Sequence, residues 1–278
     1  MIKRDDLIHP EVMGNKWRKL KYNIEEALQS HKAGLVTFGG AYSNHLAATA
    51  AACAEAQLKS IGYVRGDELS SDSNHTLRLA KKNGMQLKFI PRSEYQLLKE
   101  HSQNIEERHP DYLVIPEGGT NVLALKGCAE IIDEITQDYD FLCTSMGTAG
   151  TSMGLLQGMK GQGQLLIFPA LKGDWIASFI ENQLEKYRIS YRNYHLTDAY
   201  HFGGYGKVTN ELISFVNGFK SQTGISLDPI YTGKMVFGIM DLVKKDFFPK
   251  GSRIIILHTG GLQGIIGYNE KQGKNVLL

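Results

Sequence analysis

The run Phe141-Leu142-Cys143-Thr144-Ser145-Met146-Gly147-Thr148-Ala149-Gly150-Thr151 joins an apolar segment to a glycine-rich turn. A short apolar run bounded by small residues predicts a buried β-strand, and helical spacing resumes near Ser152. Small residues let several backbone N–H groups point into one hollow, where the N-terminus of the next helix adds positive charge. Strand, turn and helix together predict a phosphate-binding loop, with a turn needed only for tight packing as the alternative.

The same order of strand and helix extends over most of the chain. Apolar runs alternate with helix-like segments such as Trp17 to Gln29, His45 to Ala56 and Val122 to Ile135. This alternation predicts an α/β fold with two doubly wound domains and mostly parallel sheets. Clustering of the strands predicts a small domain over residues 34–125 and a large domain over residues 1–33 plus 126–278. The predicted strands include Leu35–Phe38, Ile61–Val64, Leu87–Ile90, Tyr112–Ile115, Phe141–Thr144, Leu165–Phe168 and Ile254–Leu257.

Composition and charge disfavour several classes of protein. The 31 Lys and Arg residues nearly balance the 29 Asp and Glu residues, so neither nucleic acid nor an anionic membrane is expected as a partner. Three scattered cysteines, Cys53, Cys128 and Cys143, do not form a disulfide framework and favour a cytoplasmic location. The apolar runs are too short to span a bilayer, and the charged first residues are unlike a signal peptide. The histidines lack metal-ligand spacing, so no metal is expected.

The predicted phosphate is not expected to belong to a nucleotide. A P-loop requires Gly-Lys followed by Ser or Thr, but Gly206-Lys207 and Gly233-Lys234 are followed by Val208 and Met235. A dinucleotide fingerprint that begins at Gly161 would need its third glycine at position 166, which is a leucine. The turn over residues 147–151 is therefore predicted to hold a single terminal phosphate.

A lysine at the start of a predicted helix is the first catalytic candidate. The segment predicts a helix that Asn15 caps, with Lys16 in its first turn. The positive end of the helix dipole and any burial lower the pKa of such an amine, and a neutral lysine is both a nucleophile and a base. A solvated basic face formed with Arg18, Lys19 and Lys21 is the alternative.

Two further regions supply polar candidates. Ser43 and Asn44 follow a Gly-Gly turn and open a small-residue helix whose N–H groups could bind a carboxylate, although an ordinary N-cap explains them equally well. Tyr205 and Tyr231 lie near glycines in loops, where a tyrosine serves either as a proton donor or as a packing wedge. The residues alone leave both alternatives open.

These motifs together resemble a known family. In chain order they are Lys3 to Asp6, Gly14 to Leu20, Gly39 to His45, Pro116 to Asn121, Gly147 to Thr151, Asp228 to Lys234 and His258 to Gly261. This order, over nearly the whole chain, is similar to that of the D-cysteine desulfhydrase and 1-aminocyclopropane-1-carboxylate (ACC) deaminase family. The resemblance implies a pyridoxal 5'-phosphate enzyme with the tryptophan synthase β-subunit type of fold.

The resemblance also implies a role for particular residues. Lys16 is expected to bind the cofactor as a Schiff base and to take the α-proton of the substrate. Tyr205 and Tyr231 are expected in the active site, and a homodimer is the expected assembly. The further cofactor contacts implied are Asn44 at the ring hydroxyl, Thr259 at the ring nitrogen, and the phosphate turn Gly147, Thr148, Ala149, Gly150 and Thr151. The implied seat of the substrate carboxylate is Ser43 with the backbone of Asn44 and His45.

A small amino acid is the implied substrate. Loss of the α-proton and departure of a β-thiolate would convert D-cysteine to pyruvate, ammonia and sulfide, whereas ACC would give 2-oxobutanoate and ammonia. ACC deaminases carry Glu and Leu at the positions of Thr232 and Thr259, so this threonine pair favours D-cysteine. Racemisation or dehydration of serine and a non-catalytic cofactor-binding homologue remain alternatives, while the missing fingerprint disfavours a nicotinamide dehydrogenase.

Two departures from the family pattern bear on the structure. Members of the family usually have a further segment before Lys3, and a shorter start is expected to expose an edge of the large domain. Ala149 stands where glycine is common, which is tolerable unless this residue adopts a positive φ.

Overall fold

The computed structural model describes residues 1–101 and 103–278, in which strands and helices alternate. The strands are β1 (Ile2–Arg4), β2 (Gly34–Gly40), β3 (Lys59–Arg65), β4 (Gln86–Ile90), β5 (Tyr112–Val114), β6 (Phe141–Met146), β7 (Gln164–Pro169), β8 (Tyr194–Leu196) and β9 (Ile254–His258). The α-helices are α1 (Asn15–Gln29), α2 (Asn44–Glu55), α3 (His75–Lys82), α4 (Arg92–Glu100), α5 (Gln103–Arg108), α6 (Val122–Asp133), α7 (Gly150–Met159), α8 (Trp175–Lys186), α9 (Asn210–Thr223), α10 (Thr232–Lys244) and α11 (Gln263–Gln272). Within the described residues, none of these helices is long and apolar enough to cross a membrane.

The strands form two sheets in which neighbouring strands run parallel. One sheet has four strands in the order β4-β3-β2-β5, and the other has five in the order β1-β9-β6-β7-β8. Every apolar run that predicted a strand overlaps a strand of one of them, although β5 ends at Val114, one residue before the predicted end, and the α/β class with parallel sheets is confirmed. The four-stranded sheet lies within residues 34–125 and the other sheet outside them, and we retain the division into a small and a large domain as a proposal.

Two edge strands were not predicted. β1 and β8 have three residues each, and both lie at the edges of the five-stranded sheet. β1 carries two charged side chains and therefore has no apolar run that could reveal it. It forms because its backbone pairs with β9, where Ile2 lies opposite Ile256.

Both faces of the five-stranded sheet are buried. On β7, Leu165 and Ile167 belong to the core shared with α7 and α8, whereas Leu166 and Phe168 belong to the core shared with α9 and α10. All four are at most 2% exposed, and each such side chain contributes about 1.5–3 kcal/mol on leaving water. Burial on both faces explains why the strand reads as a continuous apolar run.

Glycines allow three helices to approach closely. A Cβ on Gly127 of α6 would lie 2.0 Å from the carbonyl oxygen of Arg18 in α1. A Cβ on Gly154 of α7 would lie 2.6 Å from the carbonyl oxygen of Leu125 in α6. Because no side chain fits at either contact, α6 packs directly against both α1 and α7, and the N-terminal turns of α1 and α7 meet.

An ion network fixes α1 to the N-terminal segment and to α6. Arg18 is 6% exposed, its Nε donates to Asp5 Oδ2 at 3.1 Å, and its Nη2 donates to Glu134 Oε2 at 2.7 Å. The hydrogen bonds from Arg18 lower the pKa of the Glu134 carboxyl to about 2. The alternative of a solvated basic face is therefore wrong for Arg18.

Candidate active site

A cavity of about 630 Å³ opens where the carboxyl ends of strands from both sheets meet. Its wall consists mainly of the turns that follow β2, β6 and β9 and of the first turn of α1. Ligands of parallel α/β sheets bind at such strand ends. All of the residues predicted for the site line this cavity: Lys16, Ser43, Asn44, His45, Gly147, Thr148, Ala149, Gly150, Thr151, Tyr205, Tyr231 and Thr259.

The turn after β6 has the geometry of an anion-binding loop. Ala149 has a φ of 59°, and α7 begins directly after it at Gly150 rather than near Ser152. Ala149 thus adopts the left-handed conformation that favours glycine, which strains this residue by about 1–2 kcal/mol. The N–H groups of Gly147 and Thr148 donate no hydrogen bond to any described residue, and the first N–H groups of a helix have no intrahelical partner. Several donors are therefore available to one anion.

Lys19 lies beneath this turn, and sequence reasoning missed it as a site residue. The side chain is 2% exposed, and Nζ donates to Gly118 O at 2.9 Å and to Thr120 Oγ1 at 3.2 Å. Thr120 Oγ1 lies 2.7 Å from Thr148 Oγ1, which connects the cation to the phosphate turn. The alternative of a solvated basic face is therefore wrong for Lys19 as well. Its spacing of three residues from Lys16, which puts both on one helix face, was the available signal.

The start of α1 differs from the prediction in its cap. Asn15 is the first helical residue and Gly14 is the N-cap, with a φ of 55°. A Cβ on Gly14 would lie 2.1 Å from Thr259 O, so only glycine fits against the turn after β9. Asn15 Nδ2 donates instead to Thr151 Oγ1 at 3.0 Å, which joins α1 to the first turn of α7. Lys16 lies in the first turn, as predicted.

The amine of Lys16 is close to neutrality at physiological pH. Burial in the cavity wall is the main cause, the positive charge of Lys19 adds to it, and together they lower the pKa of Lys16 to about 7. The same burial lowers the pKa of Lys19 to about 8. About half of the Lys16 amines are then unprotonated at pH 7, and an unprotonated amine can attack an aldehyde or accept a proton.

The turn after β2 presents the N-terminus of α2 to the cavity. Ser43 is the N-cap, and its Oγ accepts a hydrogen bond from Leu46 N at 3.3 Å. The ordinary capping role is therefore real, and Ser43 and Asn44 line the cavity in addition. Gln263 Nε2 donates to Asn44 Oδ1 at 2.7 Å and so orients this amide. Gln263 was missed because it lies far along the chain and no local pattern marks it.

His45 is a core residue as well as a cavity residue. Its ring is 2% exposed, and Nε2 lies 2.8 Å from Thr37 Oγ1. Nδ1 is buried without a partner among the described residues. Burial first, and then the charges of Lys16 and Lys19, hold the pKa of His45 well below its usual value. The ring is therefore neutral. The group of His45 that can contact a substrate carboxylate, as predicted, is its backbone N–H.

The two predicted tyrosines pack against each other at the cavity. Tyr205 and Tyr231 make an edge-to-face pair with ring centres 6.0 Å apart. Asp228 Oδ1 accepts a hydrogen bond from Tyr231 N at 2.7 Å and so fixes the backbone of this tyrosine. Burial first, and then the adjacent Tyr205, raise the pKa of Tyr231 well above its usual value. Tyr231 therefore stays protonated and can donate a hydrogen bond, whereas Tyr205 is 52% exposed at the cavity mouth.

Only one of the two threonines used to choose between substrates faces the cavity. Thr259 lines it, and its Oγ1 lies 3.5 Å from the Oγ of Ser145, which also lines it. Thr232 is fully buried, and its Oγ1 donates to Asp228 Oδ2 at 2.6 Å. The argument from a threonine pair is corrected accordingly: of the two threonines only Thr259 lines the cavity, and its neighbour there is Ser145.

Pyridoxal 5'-phosphate fits this arrangement. The turn over residues 147–151 offers hydrogen-bond donors to a phosphate, and Lys19 adds a positive charge behind it. Lys16 offers a near-neutral amine for the aldehyde, and the buried hydroxyls of Ser145 and Thr259 suit an uncharged ring nitrogen. The fold and the site together define a pyridoxal-phosphate-dependent enzyme of the parallel α/β class.

Comparison with other proteins gives the same family. The chain belongs to the pyridoxal-phosphate dependent enzyme family, whose sequence model matches residues 1–260. A Pyrococcus horikoshii protein provisionally named 1-aminocyclopropane-1-carboxylate deaminase is 31% identical, over 97% of this chain and 86% of its own length. An Arabidopsis thaliana mitochondrial protein named bifunctional D-cysteine desulfhydrase/1-aminocyclopropane-1-carboxylate deaminase is 30% identical, over 95% of this chain and 72% of its own length. A crystal structure described as an ACC deaminase homologue has a TM-score of 0.84 at 29% identity, covering 97% of this chain and 86% of that one. The predicted family, fold class and cofactor are confirmed.

Proposed function

We propose that this chain is a lyase of small amino acids, and that D-cysteine is converted by α,β-elimination to pyruvate, ammonia and sulfide. The observation that carries the proposal is the position of Lys16. Its near-neutral amine lines the same cavity as the phosphate turn and the N-terminus of α2. Pyridoxal phosphate, when bound, supplies an electron sink for negative charge on the α-carbon of an amino acid.

The residues of the chain supply binding and proton transfer. The N-terminus of α2, with Ser43 Oγ, binds the substrate carboxylate, because its first N–H groups carry positive partial charge. Lys16 Nζ takes the proton from the α-carbon. Tyr231 keeps its hydroxyl proton because it is buried, so it can stabilise the departing thiolate by donating a hydrogen bond to it, and Tyr205 packs against its ring.

The hydroxyl groups expected beside the pyridine ring of the cofactor favour elimination from D-cysteine over opening of the cyclopropane ring of ACC. Ser145 and Thr259 carry no charge and leave a pyridine nitrogen largely unprotonated, which weakens the electron sink. A thiolate is a good leaving group and needs less assistance than a ring carbon. ACC deamination to 2-oxobutanoate and ammonia is the second candidate, because the Pyrococcus horikoshii and Arabidopsis thaliana relatives carry that name.

The deciding experiment measures keto acid release by the purified holoenzyme from D-cysteine, L-cysteine and ACC, with the visible spectrum recorded beforehand. Pyruvate from D-cysteine alone is the expected result. The variant Lys16→Ala should lose both the cofactor absorbance and the activity. The matched control Lys21→Ala, in the same helix but paired with Glu130 at the surface, should keep both.

Each other outcome of this experiment selects a different alternative. Release of 2-oxobutanoate from ACC would select the second candidate and refute the argument from Ser145 and Thr259. A yellow protein inert towards every small amino acid would favour the non-catalytic homologue. A protein that stays colourless with added cofactor would refute the role of Lys16.

The proposal includes a homodimer in the cytoplasm. The three cysteines are buried free thiols, which suits a reducing compartment. The dimer rests on the family resemblance alone. Light scattering of the purified protein should give twice the 31.0 kDa mass of one chain, and a single-chain mass would contradict it.

A further inference from the structure

The cavity has a cationic wall on the side of the four-stranded sheet, formed by Arg65, Arg92 and Lys99. Arg92 pairs with Glu68, and Lys99 Nζ lies 2.8 Å from Glu117 Oε2. Arg65 differs from both, since it makes no ion pair with any carboxylate that the structure describes. Arg65 is therefore the cation of this wall that has no ion-pair partner among the described residues, and the carboxylates of Glu11 and Glu117 line other parts of the same cavity.

The position of Arg65 is set by the end of the four-stranded sheet, and its side chain is exposed. It is the last residue of β3, in register with Gly40 of β2 and Ile90 of β4. Its guanidinium carbon lies 5.9 Å from the centre of the Tyr95 ring, which is 2% exposed. A Cβ on Gly40 would lie 3.6 Å from Arg65 Nη2, so the guanidinium lies over this glycine.

Gly40 begins the turn that leads to α2. Its carbonyl oxygen accepts a hydrogen bond from Ser43 N at 3.0 Å, and Ser43 caps the helix end proposed to bind the α-carboxylate. The free guanidinium thus flanks the proposed carboxylate seat. A planar guanidinium can bind a second carboxylate through two parallel hydrogen bonds, and it also attracts a thiolate.

We propose that Arg65 binds an anionic group on the side chain of the substrate, so that the site selects small amino acids with an acidic or thiolate side chain. The inference rests on the proposed function, because it assigns the α-carboxylate to the N-terminus of α2. It extends recognition by the site, and not the elimination step itself, from D-cysteine to a class of ligands defined by charge.

Equilibrium binding of two non-reacting acids tests this selectivity without turnover. Butanoate and succinate have the same four-carbon chain but carry one and two carboxylates. Calorimetry on the holoenzyme should show succinate binding about tenfold more tightly, as expected for a charge-assisted hydrogen-bonded pair. Arg65→Gln should remove the difference by weakening succinate only, and Arg65→Lys should retain part of it. Arg78→Gln is the matched control and should keep the selectivity, because Arg78 lies outside the cavity and pairs with Glu270.

Several results would overturn the inference. Equal affinities for the two acids in the unmodified holoenzyme would do so, as would binding of neither acid. If Arg65→Gln weakened the binding of butanoate as much as that of succinate, Arg65 would act on the first carboxylate or on the fold. The midpoint of thermal unfolding of the variant separates these two causes. D-Cysteine turnover is measured on the same preparation. Absence of pyruvate with the preference for succinate intact would refute the proposed function alone.

Discussion

The amine of Lys16 should react as a neutral nucleophile at a pH where ordinary lysines are charged. With the ordinary pKa of 10.5, a lysine is unprotonated in about one molecule in 3,000 at pH 7. With the pKa of Lys16 lowered to about 7, about half of the molecules are unprotonated. The reactive fraction thus rises more than a thousandfold. A less basic amine is a weaker nucleophile, and a Brønsted slope of about 0.4–0.5, as found for thiolates, leaves a net advantage of roughly 40-fold at this pH.

Reductive methylation with formaldehyde measures this advantage at every lysine at once. The protein is freed of cofactor and labelled at pH values from 6 to 10, and peptide mass spectrometry gives the rate for each lysine. The Lys16 rate should rise up to a pH of about 7 and then level off. The rate for Lys21, whose pKa its hydrogen bond to Glu130 raises, should go on rising. Lys19→Gln should move the Lys16 midpoint to higher pH, because it removes a cation that lowers the Lys16 pKa.

A Lys16 profile that rises in parallel with that of Lys21 up to pH 10 would refute the reasoning. It would show that the cavity does not shield the amine from water. No activity assay enters this test, so its outcome is independent of the substrate.

Two further predictions concern stability. Lys234 is buried and donates to His201 O and Gly204 O, and its pKa falls from 10.5 to about 8. Between pH 8 and 10.5 the unfolded chain therefore binds more protons than the folded chain, and stability rises with pH. As the pH increases over this range, the free energy of unfolding of the unmodified protein should rise by up to about 3 kcal/mol relative to that of Lys234→Met. Urea unfolding at several pH values checks this, and parallel curves for the two proteins would contradict it. Gly119→Ala should lower the free energy of unfolding by about 1–3 kcal/mol more than Gly206→Ala. Both glycines have a φ of 71°, so the backbone strain is the same in the two variants. Only the Cβ on Gly119 meets a neighbour, His45 Cε1 at 2.8 Å. Equal losses of unfolding free energy in the two variants would show that His45 moves aside freely.

Much of the fold could be predicted because buried strands have a local signature. β2, β3, β6, β7 and β9 each contain a continuous apolar run, since both faces of their sheets are covered. β1 and β8 lacked that signature, because a short edge strand is held by its backbone partner and needs no apolar side chains. The helix cap at Gly14 was also beyond local rules, since Asn15 is a good cap by type and its amide is taken by Thr151 in another helix.

The candidate site divides in the same way. Local sequence patterns predict the site residues that lie where a strand or loop passes into a helix, because neighbouring residues mark such a junction. These are residues 147–151, Lys16 and the turn at Ser43. Lys19 had only its spacing of three residues from Lys16 as a signal. Ser145, Gln263 and Arg65 could not be found, since nothing near them in the chain distinguishes them from other residues of their type. Their place in the cavity depends on contacts between distant segments.

The alternation of strand and helix, the glycine-rich turns at strand ends and the lysine in the first turn of α1 all follow from the order of the residues. These follow from periodicity and from the conformational freedom of small residues, which act over a few positions. The tertiary structure alone decided which charges are neutralised and which amines are taken out of water. Lys16 and Arg65 carry the same formal charge in the sequence. Burial lowers the pKa of Lys16, while Arg65 faces the cavity without a described carboxylate partner, because desolvation and ion pairing depend on what the fold brings within a few ångströms.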